Sequence, residues 1–294
     1  METPGRVRAI GSAGPASGGA SRPAGGTRPA SAPAPAAGQP AANAPPGDEK
    51  PAATAKGPIA TTGVAGLDAQ LGGGVPRGTT LLIIAEPGNA IPLFSEQFSG
   101  GGMDIGDDIY YFQFDRPTNG LRKAVQSFVV KDRGAGLQLY DGYANQFGST
   151  VGGLTDKDAR SVTADQLVPT ALEALANQMT GRPYRLVIES LSAITTPESE
   201  AQMVDFVRQL SYLGRAMGGI HLISIVKGMH SDDFETKLRH AATGVIEFGA
   251  ERKGFGIYNY LIVSKLYGVR DPVRILLWKE TDKGLWLEST KRVF

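Results

Sequence analysis

From Leu81 to Phe98 the chain reads LLIIAEPGNAIPLFSEQF: an apolar strand, a turn holding Gly88, then the start of a helix with apolar spacing. A turn of this shape can hold phosphate, because N–H groups at a helix N-terminus point at an anion and the helix dipole favours negative charge. The complete grip is G-x-x-x-x-G-K-[ST], where the Lys bridges the β- and γ-phosphates and the hydroxyl holds Mg²⁺. Aligned without gaps, the eight positions here are Ala85, Glu86, Pro87, Gly88, Asn89, Ala90, Ile91 and Pro92. Gly88, Asn89, Ala90, Ile91 and Pro92 are therefore the candidate phosphate contacts of a degenerate loop. Both flanking glycines are alanine, Ile91 stands for the Lys, and Pro92 stands for the hydroxyl. Proline suits the first turn of a helix but brings neither hydroxyl nor N–H. Glu86 places a carboxylate beside the phosphate position, where two unit charges about 4 Å apart repel by about 4 kcal/mol at an effective dielectric of ~20.

The other cluster with chemical side chains is KGMHSDDFETKLRH, which offers His230, Asp232, Asp233, Glu235 and His240. These types can ligate a metal, but their spacing matches no metal pattern, and no metal site is expected. The cluster reads as a solvated loop leading into a helix with Ser231 or Asp232 as N-cap. No elbow motif supports a Ser–His–Asp arrangement. Trp278 and Trp286 flank the last hairpin and are expected to be cross-strand partners.

These groups need a frame. Strand-length apolar runs recur at 79–85, 108–114, 137–142, 184–190 and 220–226, and helical spacing fills 118–130, 164–179 and 200–217. Strands apolar throughout, alternating with helices, predict a parallel sheet covered on both faces. Beyond about residue 244 four antiparallel strands are expected, the last two joined at Asp282-Lys283-Gly284. The 143–163 stretch reads as a long surface loop. The 57 N-terminal residues are mostly Ala, Pro, Gly and Ser, with Arg6, Arg8, Arg22 and Arg28 among their few charges. Having almost nothing to bury, 1–57 is expected to be a disordered tail and 58–294 the folded domain. Net charge is +1 and cysteine is absent. The balance of charge demands no polyanionic partner, disulfides are excluded, and the lack of an apolar span or secretory leader points to the cytoplasm and away from membranes.

The lead-in TTGVAGLDAQLGGGVPRG and the strand and loop after it resemble the opening of a KaiC-type domain of the RecA-like ATPase superfamily. YRLVIESLSAI and YLIVSKLYGVRDPVRILLWKETDKGLWLES resemble that family's acidic strand end and its C-terminal strands. The likeness covers roughly 58–290. It implies a RecA-like P-loop NTPase fold, α/β, with a mainly parallel central sheet and a β-rich C-terminal edge. It also implies roles. Glu189 is the strand-end acid that would orient a Mg²⁺-bound water, and Asp115 holds one of two positions where the family has adjacent glutamates, the other being Arg116. Lys265 matches the first basic residue of K-x-R-G, which reaches a neighbouring subunit's nucleotide, while Tyr267 replaces the Arg; Arg270 and Arg274 lie nearby.

An intact fold signature beside a dismantled loop leads to one expectation: a non-catalytic, pseudo-ATPase member of the KaiC-like group. It would regulate or scaffold by self-assembly or by joining an active KaiC-like homologue, with ATP hydrolysis absent or very weak and no confident cofactor. One alternative is a slow ATPase that binds ATP and Mg²⁺ through Glu189 and Asp115 with Lys265 from a neighbour. Another is a DNA-binding recombination-mediator paralogue that uses the Arg-bearing tail and the 227–240 loop. The resemblance implies an archaeal signalling, motility or gas-vesicle setting without choosing among them.

Overall fold

The computed structural model describes residues 58–147, 153–178, 182–254, 256–269 and 274–288; the expected tail at 1–57 lies outside them. In chain order the elements are β1 (Ile59–Ala60), α1 (Ala65–Leu71), β2 (Val75–Pro76), β3 (Thr80–Ala85), α2 (Ile91–Asp104), β4 (Asp108–Gln113) and α3 (Leu121–Gln126). Then come β5 (Leu137–Asp141), α4 (Tyr143–Phe147), β6 (Arg160–Ser161), α5 (Leu167–Asn177), β7 (Tyr184–Glu189), α6 (Glu200–Met217) and β8 (Ile220–Val226). The chain closes with α7 (Asp232–Ala241), β9 (Gly244–Lys253), β10 (Gly256–Leu266), β11 (Arg274–Thr281) and β12 (Gly284–Leu287).

Ten strands form one sheet in the order β12-β11-β10-β9-β3-β8-β7-β4-β5-β6. From β9 to β6 neighbours run parallel, and from β9 to β12 they run antiparallel. This is the expected parallel core with a β-rich C-terminal edge. The central strand β3 is buried along its whole length and divides its side chains between two cores. Leu81, Ile83 and Ala85 meet Phe94 and Phe98 of α2 and Trp278 of β11 on one face. Leu82 and Ile84 share the other face with Phe206, Val207 and Leu210 of α6 and Phe234 of α7. A strand that must satisfy two apolar layers has no polar side, which is why its sequence shows no alternation.

Helix α6 fills the predicted 200–217 stretch, and Ser231 caps α7 by accepting from the Phe234 amide at 3.1 Å. The helix expected over 118–130 is only Leu121–Gln126. Asp104 explains its early end, because its Oδ1 accepts from the amides of Val130 (2.8 Å) and Lys131 and draws the chain out of helical geometry. The expected surface loop at 143–163 instead contains α4 and β6, held by Asn145 Nδ2, which donates to the carbonyl of Val162 at 2.8 Å. The pairing of Trp278 with Trp286 is corrected too: Trp278 faces Leu287 and Trp286 faces Lys279. Adjacent registers point to opposite faces, so Trp278 is buried while Trp286 is exposed. Among the described residues no helix is long and apolar enough to cross a membrane.

Candidate functional site

The parallel strands deliver four chain segments to one edge of the sheet, at their C-terminal ends, where open α/β sheets bind ligands. These are the 86–90 loop after β3, Asp115 and Arg116 after β4, Glu189 at the end of β7, and Lys227 after β8.

The loop turns through Gly88 at φ +80°, a conformation that a side chain would oppose. Three of its amides have partners within the loop. Asn89 N–H donates to the Glu86 carbonyl (3.3 Å), and Ile91 N–H to the Asn89 carbonyl (2.9 Å). Ala90 N–H donates to the side-chain oxygen of Asn89 at 3.1 Å, so this amide already has a partner. Ile91 is the first residue of α2 and is buried in the core, and Pro92 lies in the first turn of that helix. Glu86 is exposed 4.0 Å from Lys227 Nζ, a cation that offsets part of the repulsion expected from its carboxylate.

Glu189 is buried and fully engaged. Its Oε2 accepts from the Tyr111 hydroxyl, and its Oε1 accepts from Arg116 Nε at 3.0 Å. Arg116 Nη2 donates to Glu96 Oε1 at 2.7 Å, so one guanidinium bridges two carboxylates. The turn that carries it is fixed by Gln113, whose Oε1 accepts from the amides of Asp115 (2.9 Å) and Arg116 (3.3 Å). Burial works against the Arg116 charge, but Glu189, Tyr111 and Glu96 around it together outweigh this and raise its pKa. Burial raises Glu96 as well, with Arg116 pulling the other way. Asp115 is raised by burial and then by Glu189. Tyr111 is pushed well up by burial and then by Glu189, so it stays a donor.

Sequence reasoning singled out Glu189 and Asp115 and missed Glu96, Tyr111 and Gln113. Two had a visible signal: Glu96 is the acid inside the apolar opening of α2, and Gln113 is the amide near the end of the apolar run DIYYFQF.

Lys265 lies away from this edge. Its Nζ donates to the carbonyls of Arg239 (2.9 Å), His240 (3.2 Å) and Ala242 (2.6 Å) at the end of α7. Arg270 falls outside the described residues, as does the side chain of Arg274. The reading of His230 as part of a solvated loop is corrected. Its side chain is buried, with Nε2 2.8 Å from Ser192 Oγ and Nδ1 3.9 Å from Glu200 Oε1. Burial lowers its pKa. The Ser–His–acid contact that spacing did not reveal ties the loop after β8 to the start of α6. Among the described residues no three His, Cys, Asp or Glu converge as a metal site.

A family model described as a family of unknown function (DUF7125) matches residues 59–280. The UPF0273 protein of Aeropyrum pernix is 24% identical over 237 residues, covering 79% of this chain and 94% of the relative. That of Thermotoga maritima is 25% identical over 229 residues, covering 76% and 93%. The crystal structure of a KaiC-like protein from Pyrococcus horikoshii matches with a TM-score of 0.58 at 18% identity, over 79% of this chain and 99% of that one. The shared architecture is that of a KaiC-type, RecA-like domain.

Proposed function

This chain belongs to the DUF7125 family of unknown function, and from its site we propose that it is a non-catalytic, KaiC-like regulatory or scaffolding protein. It acts by assembling with itself or with an active homologue. The observation that carries the reading is the Arg116 bridge: a guanidinium joins Glu189 to Glu96 at the strand end where a nucleotide's Mg²⁺ would need a carboxylate. A permanent internal cation serves the acid, so the fold keeps its shape without Mg-ATP. The loop supports the same reading, because the amides of Asn89, Ala90 and Ile91 are satisfied from within it and Ile91 belongs to the core. What remains is a RecA-like shape with a degenerate phosphate loop, free to act through its surfaces.

The test is calorimetric titration of the full chain with Mg-ATP, beside the variant Ile91→Lys, Pro92→Thr, Arg116→Glu. Native protein is expected to give no binding heat and to elute identically from a sizing column with and without nucleotide. The variant is expected to gain binding. Micromolar binding by the native chain, or nucleotide-dependent assembly, overturns the proposal whether or not the variant folds.

A further inference from the structure

Where β7 begins and α5 and α6 end, the protein has a cleft of about 350 Å³. It lies at the N-terminal edge of the sheet, and among the described residues no carboxylate lines it. Pro183 and Met217 give it apolar walls, and Tyr184, itself buried, forms its inner side. Two polar atoms of opposite sense are left unpaired here. Arg77 Nη2 donates to Asp107 Oδ1 at 2.6 Å, but its Nη1 is buried without an acceptor. Gln178 Oε1 is buried without a donor. Both residues line the cleft. A buried donor and a buried acceptor that have lost water are each stabilised by a partner, so a ligand carrying one group of each sense is favoured.

Charge decides which group goes where. The second oxygen of Asp107 accepts from Arg185 Nε at 2.9 Å, so one carboxylate serves two guanidiniums and Arg77 is only half neutralised. Arg182, the other cation of the cleft, is exposed, with Nε 3.8 Å from Asp108 Oδ2, too long for a hydrogen bond. These two arginines suit a carboxylate. The opposite character comes from the helices. Gln178 is the C-cap of α5 and Gly218 the C-cap of α6, and both line the cleft. Helix C-termini carry partial negative charge and favour a cation. A phosphate dianion brings acceptors alone and cannot serve Gln178 Oε1, while a simple amine cannot serve Arg77 Nη1.

We propose that this cleft binds a free α-amino acid. Its carboxylate sits on Arg77 and Arg182, its ammonium on Gln178 Oε1 between the two helix ends, and an apolar side chain against Pro183 and Met217. The ligand carries no phosphate, and the site shares no residue with the phosphate loop or the Glu189 cluster. Neither its success nor its failure therefore bears on the Mg-ATP titration.

Calorimetric titration of the full chain with L-leucine and with L-methionine tests it. Two further probes, 4-methylpentanoate and isoamylamine, keep the leucine side chain and lack the amine and the carboxylate respectively. Binding of an amino acid is expected, with each truncated analogue weaker by about tenfold or more, because it leaves one buried group of the cleft unpaired. Gln178→Leu and Arg182→Ala are each expected to weaken binding about fivefold or more. Arg182 is exposed enough that its truncation leaves the fold intact, which circular dichroism verifies. No heat with either amino acid, equal binding of 4-methylpentanoate, or binding unchanged by both substitutions overturns the proposal.

Discussion

Strands β4 and β7 are joined by an arginine–carboxylate pair at each end, and the two pairs live in different solvents. At the N-terminal end Arg185 and Asp107 are both wholly buried, Nε to Oδ2 at 2.9 Å. Arg185 gives two further donors to the carbonyls of Phe98 (2.8 Å) and Thr61 (2.9 Å), while Arg77 takes the other oxygen of Asp107 at 2.6 Å. At the C-terminal end Glu189 is as deeply buried, yet the side chain of Arg116 keeps 31% of its surface in water. The first pair closes the fold and has no room for a ligand. The second is an ion pair at a surface, made by a residue on a turn, and it occupies the position where this architecture places chemistry. Similar charges and distances thus hold the fold at one end and fill the site at the other.

The sharpest way to break the comparison is to remove each arginine in turn. Arg185→Met leaves Asp107 buried with Arg77 alone, and the expected loss is about 3–5 kcal/mol of unfolding free energy, read from denaturant midpoints. Arg116→Met is expected to cost about 1–2 kcal/mol, because Tyr111 and solvent still serve Glu189. Equal losses would erase the distinction between the ends.

Gly102 sharpens it further. A Cβ there would sit 2.5 Å from Arg185 Nε and 2.6 Å from its Cδ, so a residue with poor helix propensity is kept in α2 to admit the guanidinium. Gly102→Ala is expected to destabilise by about 1–3 kcal/mol, despite the better helix propensity of alanine. In the Arg185→Met background the penalty should shrink, and a double-mutant cycle with no coupling would refute the packing account.

The sequence made the architecture readable because apolar period and length are local. β3 announces itself in TTLLIIA and α6 in its Met203, Phe206, Val207 and Leu210 spacing. The loop from Ala85 to Pro92 was readable for the same reason, since its chemistry lies within eight consecutive residues. Arg116 was visible only as a residue out of place. What it does depends on Glu96, 20 positions before it, and Glu189, 73 positions after it, meeting through sheet order. Gly102 and Arg185 are coupled across 83 residues by the same means, and no periodicity reports a missing methyl group. The misreading of the tryptophans has a smaller cause. A one-residue step in hairpin register moves a ring from the core to solvent, and turn composition alone does not fix that step.

The smallest effect concerns protons. His221 is the second residue of β8, at the closed end, wholly buried, with Nδ1 3.1 Å from Thr80 Oγ1 and Nε2 3.3 Å from the Tyr184 hydroxyl. Burial lowers its pKa to about 3 from an ordinary value of 6.5. Between those values the unfolded chain binds a proton that the folded chain refuses. Stability is therefore intact above about pH 6.5 and falls as pH drops, by at most ~1.4 kcal/mol per pH unit, until protonation reaches the folded state near pH 3. Replacing the imidazole with an amide, His221→Gln, removes this proton linkage. Over the single unit from pH 6.5 to 5.5 its stability should decline by about 1 kcal/mol less than that of the native chain. Parallel curves would mean that a proton reaches His221 in the folded protein, and the end of the sheet held by Arg185 would then be open to water in the way the Arg116 end is.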